Sequence, residues 1–100
     1  MVRMLESETF KNWRNKLKDR VAVARITARI TRLSNGHFGD CKYLRDSIRE
    51  LRIDYGPGYR VYFTLRGNSL ILLLAGGDKN TQDADIDRAI RLAESWRTET

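Results

Sequence analysis

The chain has 100 residues, a length that fits one domain, and its 19 Lys and Arg against 13 Asp and Glu give a formal net charge of +6. Its 41% hydrophobic residues are typical of a globular protein rather than a disordered one, and no apolar run is long enough to span a bilayer. The single Cys41 excludes an internal disulfide, and the early acid Glu6 interrupts any signal-peptide core, so we expect a cytoplasmic protein.

The basic residues are mostly arginine, with 14 Arg and 5 Lys. Arginine presents a planar fork of donors that matches a phosphate group, and its guanidinium can stack on a nucleobase. The charge therefore predicts a polyanionic partner, either a nucleic acid or an acidic protein surface. The alternative is that the charge serves solubility alone.

The N-terminal half is predicted to contain a short strand and two helices. Residues 2–5 favour a strand, and a first helix is expected to begin at Ser7 or Glu8. A second helix is predicted over about residues 20–34 and ends at Asn35-Gly36, where glycine can form a left-handed cap. This helix carries an apolar stripe of Val23, Ile26, Ile30 and Leu33 and a basic stripe of Arg25, Arg29 and Arg32.

The central part of the chain predicts a β-meander. Residues 48–55 and 59–66 alternate between apolar and polar, and Gly67-Asn68 is typical of a two-residue hairpin turn of the primed type. Residues 69–75 are almost continuously apolar, which indicates a strand buried on both faces. Residues 41–44 can add a short strand before the meander.

The first hairpin has a predicted register. A three-residue turn at Gly56-Pro57-Gly58 places the apolar residues of both strands on one face of the sheet and the polar residues on the other. The apolar pairs are Tyr55 with Tyr59, Ile53 with Val61, and Leu51 with Phe63. The opposite face, which we expect to be polar and solvated, carries Glu50, Arg52, Asp54, Arg60, Tyr62 and Thr64.

Three residues of this polar face form a candidate phosphodiester site. Arg52 and Arg60 can neutralise the charge that builds on a phosphate, and Tyr62 can stack on a base or act as a donor. The alternative is ordinary salt bridging, in which Asp54 pairs with Arg60 and Glu50 pairs with Arg52.

The loop Gly76-Gly77-Asp78-Lys79 joins the apolar strand to a last helix. Such a loop can present backbone N–H groups to an anion, and a plain strand-to-helix turn is the alternative. Lys79 reaches the polar face if the loop folds beside the meander. The last helix is expected to be capped by Asn80 or Thr81 and to bury Ile86, Ala89, Ile90, Ala93 and Trp96.

The sequence offers no set of metal ligands. One histidine, His37, and one cysteine cannot make a zinc site, and His37 is either a general base or an ordinary loop residue. We therefore expect no metal and no cofactor, so that any catalysis would rely on Arg, Lys and Tyr.

Two segments resemble a known family of toxins. Residues 50–63, ELRIDYGPGYRVYF, and residues 72–79, LLLAGGDK, are similar in order and spacing to the motifs of RelE/ParE superfamily toxins. The resemblance is closest to the HigB-like "addiction module killer protein" family of type II toxin–antitoxin systems, and it extends over nearly the whole chain.

The resemblance implies one RelE/ParE-like domain over residues 1–100 with an α+β fold. The expected fold is an antiparallel β-sheet meander with an N-terminal helical hairpin and a C-terminal helix packed on it. The resemblance implies that all the helices lie on the same face of the sheet. RelE-like members cleave mRNA in the ribosomal A site, without metal, by attack of the ribose 2′-OH on the adjacent phosphate. ParE-like members instead poison DNA gyrase. A third alternative is a toxin-fold protein that acts only by binding its antitoxin.

The family also implies partners and site residues. The partners are a cognate helix-turn-helix antitoxin, and either the ribosome with mRNA or DNA gyrase. A toxin of this kind is expected to arrest growth. Glu50 occupies a position that is basic in RelE-like enzymes, and the last helix has no tyrosine where RelE places one. The residues that would act as general acid and general base therefore stay open. The expected catalytic residues are Arg52, Arg60, Lys79 and Tyr62, and the expected RNA-binding residues are Arg25, Arg29, Arg32 and Arg66.

Overall fold

A computed structural model describes residues 2–98, in which a five-stranded sheet lies between helices on its two faces. The strands are β1 (Arg3–Glu6), β2 (Cys41–Arg45), β3 (Ile48–Ile53), β4 (Tyr59–Arg66) and β5 (Leu70–Gly77). The helices are α1 (Glu8–Lys16), α2 (Arg20–Ser34) and α3 (Gln82–Thr98), and a 3₁₀ turn (Lys79–Thr81) precedes α3. No helix within residues 2–98 is long and apolar enough to cross a membrane.

Polar caps begin each of the first two helices. The Ser7 hydroxyl accepts from the N–H of Phe10, and the Asp19 carboxylate accepts from the N–H groups of Val21 and Ala22. The predicted bounds of α2 are confirmed. The last helix begins at Gln82, directly after Thr81, which is one of its two expected caps, and Asp78 caps the preceding 3₁₀ turn by accepting from the N–H of Asn80.

The sheet has the order β1-β5-β4-β3-β2. The four strands from β2 to β5 form the expected antiparallel meander, and the α+β class is confirmed. The expectation of a wholly antiparallel sheet is wrong, because β1 pairs with β5 in parallel, with Arg3 beside Leu70. The sheet is therefore mixed.

The predicted register of the β3–β4 hairpin is wrong by two residues. Ile53 pairs with Tyr59 and Leu51 with Val61, so residues 54–58 form a five-residue connection. Tyr55 leaves the strand because its hydroxyl donates to Asp19, 3.0 Å away at the start of α2. An even shift keeps every side chain on its face, so the predicted division into two faces holds.

The hairpin turns also differ from the prediction. Arg66 pairs with Leu70, so the turn predicted as two residues at Gly67-Asn68 has three. The two-residue primed turn instead joins β2 to β3 at Asp46 and Ser47, whose φ angles are 52° and 67°. Positive φ at both central positions is the requirement of that turn type, and aspartate tolerates it better than most residues.

Helices cover both faces of the sheet rather than one. Side chains of α1 and α2, including Phe10 and Ile26, pack on the face that carries Leu51 and Phe63. The opposite face, expected to be solvated, packs against Ala89 and Ala93 of α3 and other residues of that helix. The helix therefore covers part of the polar face of β3 and β4, including Glu50 and Tyr62. Strand β5 is buried on both faces, as predicted.

The end of β5 approaches both helical layers closely. A Cβ on Gly76 would collide with the indole of Trp13 from α1, and a Cβ on Gly77 would collide with the carboxylate of Asp85 from α3. The two glycines therefore allow helices on opposite faces to contact the strand backbone. They belong to β5 and not to an anion-binding loop, so that interpretation of residues 76–79 is wrong.

We predict that Gly77→Ala lowers the free energy of unfolding by about 1–3 kcal/mol, because an added methyl group displaces Asp85 in a filled interior. Gly67→Asn is the control, since no atom lies within 4 Å of its Cβ position and asparagine tolerates the left-handed φ of +61°. We expect the control to change stability by less than about 0.5 kcal/mol. Chemical denaturation measures both variants, and equal losses would contradict close packing at Gly77.

Candidate functional site

An open cavity of about 420 Å³ lies at the end of the sheet where β3 ends and β4 begins. We call it the sheet-end cleft. Three of its lining residues are the cations Arg52, Arg60 and Lys79, which the sequence analysis had grouped as one site. Two carboxylate residues, Asp40 and Asp54, also line it. The structure thus brings three of the four expected catalytic residues together.

The connection between β3 and β4 forms one wall of the cleft. The carbonyl of Pro57 accepts from the N–H of Lys79 at 3.5 Å, which holds the wall against the 3₁₀ turn. Gly58 has a φ of +81°, a conformation that side chains rarely adopt, and its Cα faces the guanidinium of Arg60. The wall therefore contacts both the 3₁₀ turn that carries Lys79 and the side chain of Arg60.

Glu50 is the polar centre beneath the cleft. Its side chain is 1% exposed, and its Oε2 accepts from the Tyr62 hydroxyl at 3.1 Å and from Nε2 of Gln82 at 2.8 Å. The same oxygen lies 3.4 Å from Nε of Arg60. Nη1 of Arg60 also donates to the carbonyl of Gly58 at 2.8 Å. Arg60 is thus fixed by a buried ion pair and a backbone hydrogen bond.

The expected salt bridges are half confirmed. Arg52 lies 3.7 Å from Oε1 of Glu50 and its side chain is 44% exposed, so the predicted Glu50–Arg52 pair is present and partly solvated. The predicted pair between Asp54 and Arg60 is wrong, because Arg60 pairs with the buried Glu50 instead. The Asp54 carboxylate is consequently left exposed at the cleft.

Lys79 completes the group of cations. It is exposed in the 3₁₀ turn, and its amino group forms no hydrogen bond or ion pair with any described residue. The expectation that Lys79 reaches the face of Arg52 and Arg60 is confirmed by their shared cavity. Its charge is free for a ligand.

Tyr62 does not line the cleft. It is fully buried under α3, and burial together with the nearby Glu50 carboxylate raises the pKa of its hydroxyl well above the ordinary value. A fully buried phenol cannot stack on a base, so the stacking role expected for Tyr62 is wrong. Its hydroxyl holds Glu50 in place instead.

The basic stripe of α2 divides into two kinds of residue. A second cavity of about 260 Å³, which we call the helix-side cavity, is lined by Arg25, Arg29, Arg32 and Asp54, among others. Arg29 holds the fold together, because it donates to the carbonyls of Arg52, Phe38 and Asp40. Arg25 lies over the Tyr55 ring at 4.9 Å, and Arg32 forms no hydrogen bond or ion pair with a described residue.

Two other expected residues lie elsewhere. Arg66 is at the far end of β4 from the cleft, and its guanidinium donates to the carbonyl of Ala93 in α3 at 2.7 Å. Arg66 therefore fastens α3 to the sheet and does not join the cations of either cavity. His37 is exposed in the loop after α2 and lines neither cavity.

A family model described as "Phage derived protein Gp49-like (DUF891)" matches residues 9–97. The chain belongs to this Gp49-like family. It is a RelE/ParE-like toxin family, commonly associated with the toxins of toxin–antitoxin systems, and such a toxin implies an antitoxin partner. An uncharacterized protein of Haemophilus influenzae is 55% identical over 86 residues, which cover 86% of this chain and 87% of the relative.

Sequence reasoning about this Gp49-like protein missed the roles of Glu50 and Gln82. Glu50 was expected on the polar face as a partner of Arg52 and as a departure from the basic residue of RelE-like enzymes, and Gln82 was assigned no role. The available signal was an acid that alternates with Arg52 on a strand and faces Tyr62 on the next. Such a set forms a buried network only if a helix covers it.

We predict that Glu50→Gln lowers the free energy of unfolding by about 3 kcal/mol, because it leaves the buried Arg60 charge without its carboxylate. Tyr62→Phe is the matched control, since it removes one hydrogen bond to the same oxygen and no charge, for a loss of about 1 kcal/mol. Chemical denaturation of both variants measures the difference. A loss from Glu50→Gln no larger than the control's would mean that charge pairing does not hold this site.

We predict an acid-sensitive anchor at the start of α2. Hydrogen bonds from the Ala22 N–H and the Tyr55 hydroxyl lower the pKa of Asp19 below its ordinary value of 3.8. Because the pKa of Asp19 is lower in the folded state, its ionised carboxylate stabilises the fold. This stabilisation is present above about pH 3.8 and is lost as pH falls through the folded-state pKa.

Asp19→Asn should therefore flatten the acid side of a stability–pH curve, and Tyr55→Phe should flatten it partly. Asp83→Asn, which changes an exposed carboxylate in the first turn of α3, is the control. Melting temperatures recorded from pH 2 to pH 6 test this. The same acid slope in all variants would refute the anchor.

Proposed function

We propose that this Gp49-like protein is a HigB-like toxin of a type II toxin–antitoxin system that acts as a ribosome-dependent mRNA endonuclease in the cytoplasm. The observation that supports it is the convergence of Arg52, Arg60 and Lys79 on one open cleft. Three cations around a shallow, open cavity suit a phosphodiester of an extended strand better than an enclosed small molecule. The remaining partner is a cognate helix-turn-helix antitoxin.

The proposed reaction uses a nucleophile that belongs to the RNA. The ribose 2′-oxygen forms a bond to the adjacent phosphorus, and the bond from phosphorus to the 5′-oxygen of the next nucleotide breaks. The products are a 2′,3′-cyclic phosphate and a 5′-hydroxyl, so the proton lost by the 2′-OH is balanced by one gained at the 5′-oxygen. The protein must stabilise the charge that builds on the phosphoryl oxygens.

Each cation has a role that follows from how it is held. Arg60 is fixed by Glu50 and the Gly58 carbonyl before any ligand arrives, so it is a preorganised donor for the developing charge. Arg52 is half exposed and can follow the phosphate as it enters. Lys79 has a free amino group, which in its ammonium form can donate a proton to the leaving 5′-oxygen or stabilise the negative charge on it.

We predict that Arg52→Ala slows mRNA cleavage about 100-fold, because losing one charge stabiliser costs roughly this factor. Lys79→Ala should act in the same direction. Both side chains are exposed, so neither variant should unfold the protein. Arg60→Ala is less informative by itself, since it strands the buried Glu50 charge, and Arg60→Lys is the better probe of that position.

The assay is primer extension on mRNA in a translating extract, together with growth after induction in cells without the antitoxin. Arg91→Ala is the control, because Arg91 is exposed on α3 and makes no hydrogen bond or ion pair with a described residue. Codon-linked cuts that are lost in Arg52→Ala and kept in Arg91→Ala support the proposal. Intact mRNA with trapped gyrase–DNA complexes would replace it by the gyrase-poison alternative, and unaffected growth would leave only antitoxin binding.

A further inference from the structure

The sheet-end cleft and the helix-side cavity meet at one acidic residue. Asp54 follows β3 directly and, with Ile53, lines both cavities. It is exposed, and within residues 2–98 no hydrogen bond or ion pair engages its carboxylate. An unpaired acid therefore lies where the two cavities meet. Apart from Asp54, and Asp40 in the sheet-end cleft, the charged residues that line the two cavities are basic.

Cations lie on either side of this carboxylate. The sheet-end cleft contributes Arg52, Arg60 and Lys79, and the helix-side cavity contributes Arg25 and Arg32 as arginines whose guanidinium groups make no hydrogen bond within the described chain. Phosphate groups in the two cavities would be attracted by these cations. Neither phosphate gains from Asp54, because an ionised carboxylate is only a hydrogen-bond acceptor and repels an anion.

A group that does gain from Asp54 is a hydroxyl donor between two phosphates. RNA carries one on every ribose, as the 2′-OH, and DNA has none. The acceptor lies between the cavities, where the sugar that joins two phosphates would pass. The chemistry of the two cavities and their junction therefore matches phosphate, ribose hydroxyl and phosphate in that order.

We propose that Asp54 accepts a hydrogen bond from a ribose 2′-hydroxyl, with the flanking phosphates bound one in each cavity, and so makes this surface prefer RNA to DNA. The inference rests on the proposed RNA substrate and adds the residue that recognises the sugar. It also assigns Arg25 and Arg32 to a phosphate outside the sheet-end cleft.

The position of Asp54 is set by contacts on both sides of it. Ile53 is paired with Tyr59 in the sheet, and the Tyr55 N–H donates to the Ile53 carbonyl at 2.9 Å. The Tyr55 ring lies under Arg25 at 4.9 Å, and its hydroxyl donates to Asp19. The backbone on either side of Asp54 is thus fixed to the sheet and to α2, which holds the acceptor at the junction.

The test compares single-stranded hexanucleotides of RNA, 2′-O-methyl RNA and DNA binding to the full chain, measured by fluorescence anisotropy. The wild type should bind RNA about tenfold more tightly than the other two, the factor expected for one hydrogen bond to a charged group. Asp54→Ala should abolish this preference, with DNA bound as tightly as by the wild type or more tightly. Asp54→Asn retains an acceptor and should keep part of it.

Asp40→Ala is the matched control, because Asp40 is an exposed carboxylate that lines the sheet-end cleft but not the helix-side cavity. Removing its charge should strengthen RNA and DNA binding alike and leave their ratio unchanged. Collapse of the ratio in Asp54→Ala alone supports the inference. An unchanged ratio in Asp54→Ala, a wild type without preference, or no binding of RNA would overturn it.

The outcome is separable from the proposed nuclease activity. If the preference depends on Asp54 while mRNA stays uncut in the translating extract, sugar recognition stands and the nuclease proposal fails. If mRNA is cut and the binding ratio is the same in Asp54→Ala, the nuclease proposal stands and the role of Asp54 fails.

Discussion

One buried carboxylate determines how the sheet, α3 and the candidate site fit together. Glu50 is 1% exposed, and an ionised group in that position is tolerated only when it is paired and hydrogen-bonded. Its partners come from different elements: Arg60 and Tyr62 from β4, and Gln82 from α3. Satisfying this one charge therefore fixes the β3–β4 pairing and the start of α3, and it orients the guanidinium of Arg60 beside the cleft.

The sequence was informative about the fold wherever local signals decide it. The bounds of α2 follow from Asp19 as its cap and from its apolar stripe, and the division of β3 and β4 into two faces follows from their alternation. The register was missed because the Tyr55 hydroxyl bonds to Asp19, 36 positions earlier, and local turn rules contain no such contact. The position of α3 was missed because alternation with polar residues predicts a solvated face, whereas here Tyr62 and Gln82 donate hydrogen bonds to Glu50 beneath the helix.

For the candidate site, residue type and strand register were enough to group Arg52, Arg60 and Lys79. They were not enough to separate the exposed residues from the buried ones. Tyr62 shares the strand face of Arg60, yet it lies further along β4, where α3 covers the sheet, while Arg60 lies at the end, where the cleft opens. The distinction depends on where a helix from another part of the chain ends, and no pattern within residues 50–63 contains that information.

The arginines show why net charge alone is a poor guide to a binding surface. Arg29 and Arg66 donate to main-chain carbonyls and join distant elements, so their guanidinium groups contribute mainly to the fold. Arg25 and Arg32 lie on the same helix as Arg29, and their guanidinium groups form no hydrogen bond with a described residue. A guanidinium whose donors are already bonded to carbonyls adds to the long-range field but offers fewer directed hydrogen bonds to a phosphate. The surface available to an anion is therefore set by which arginines the fold does not use, and Arg25 and Arg32 beside the helix-side cavity are two of these.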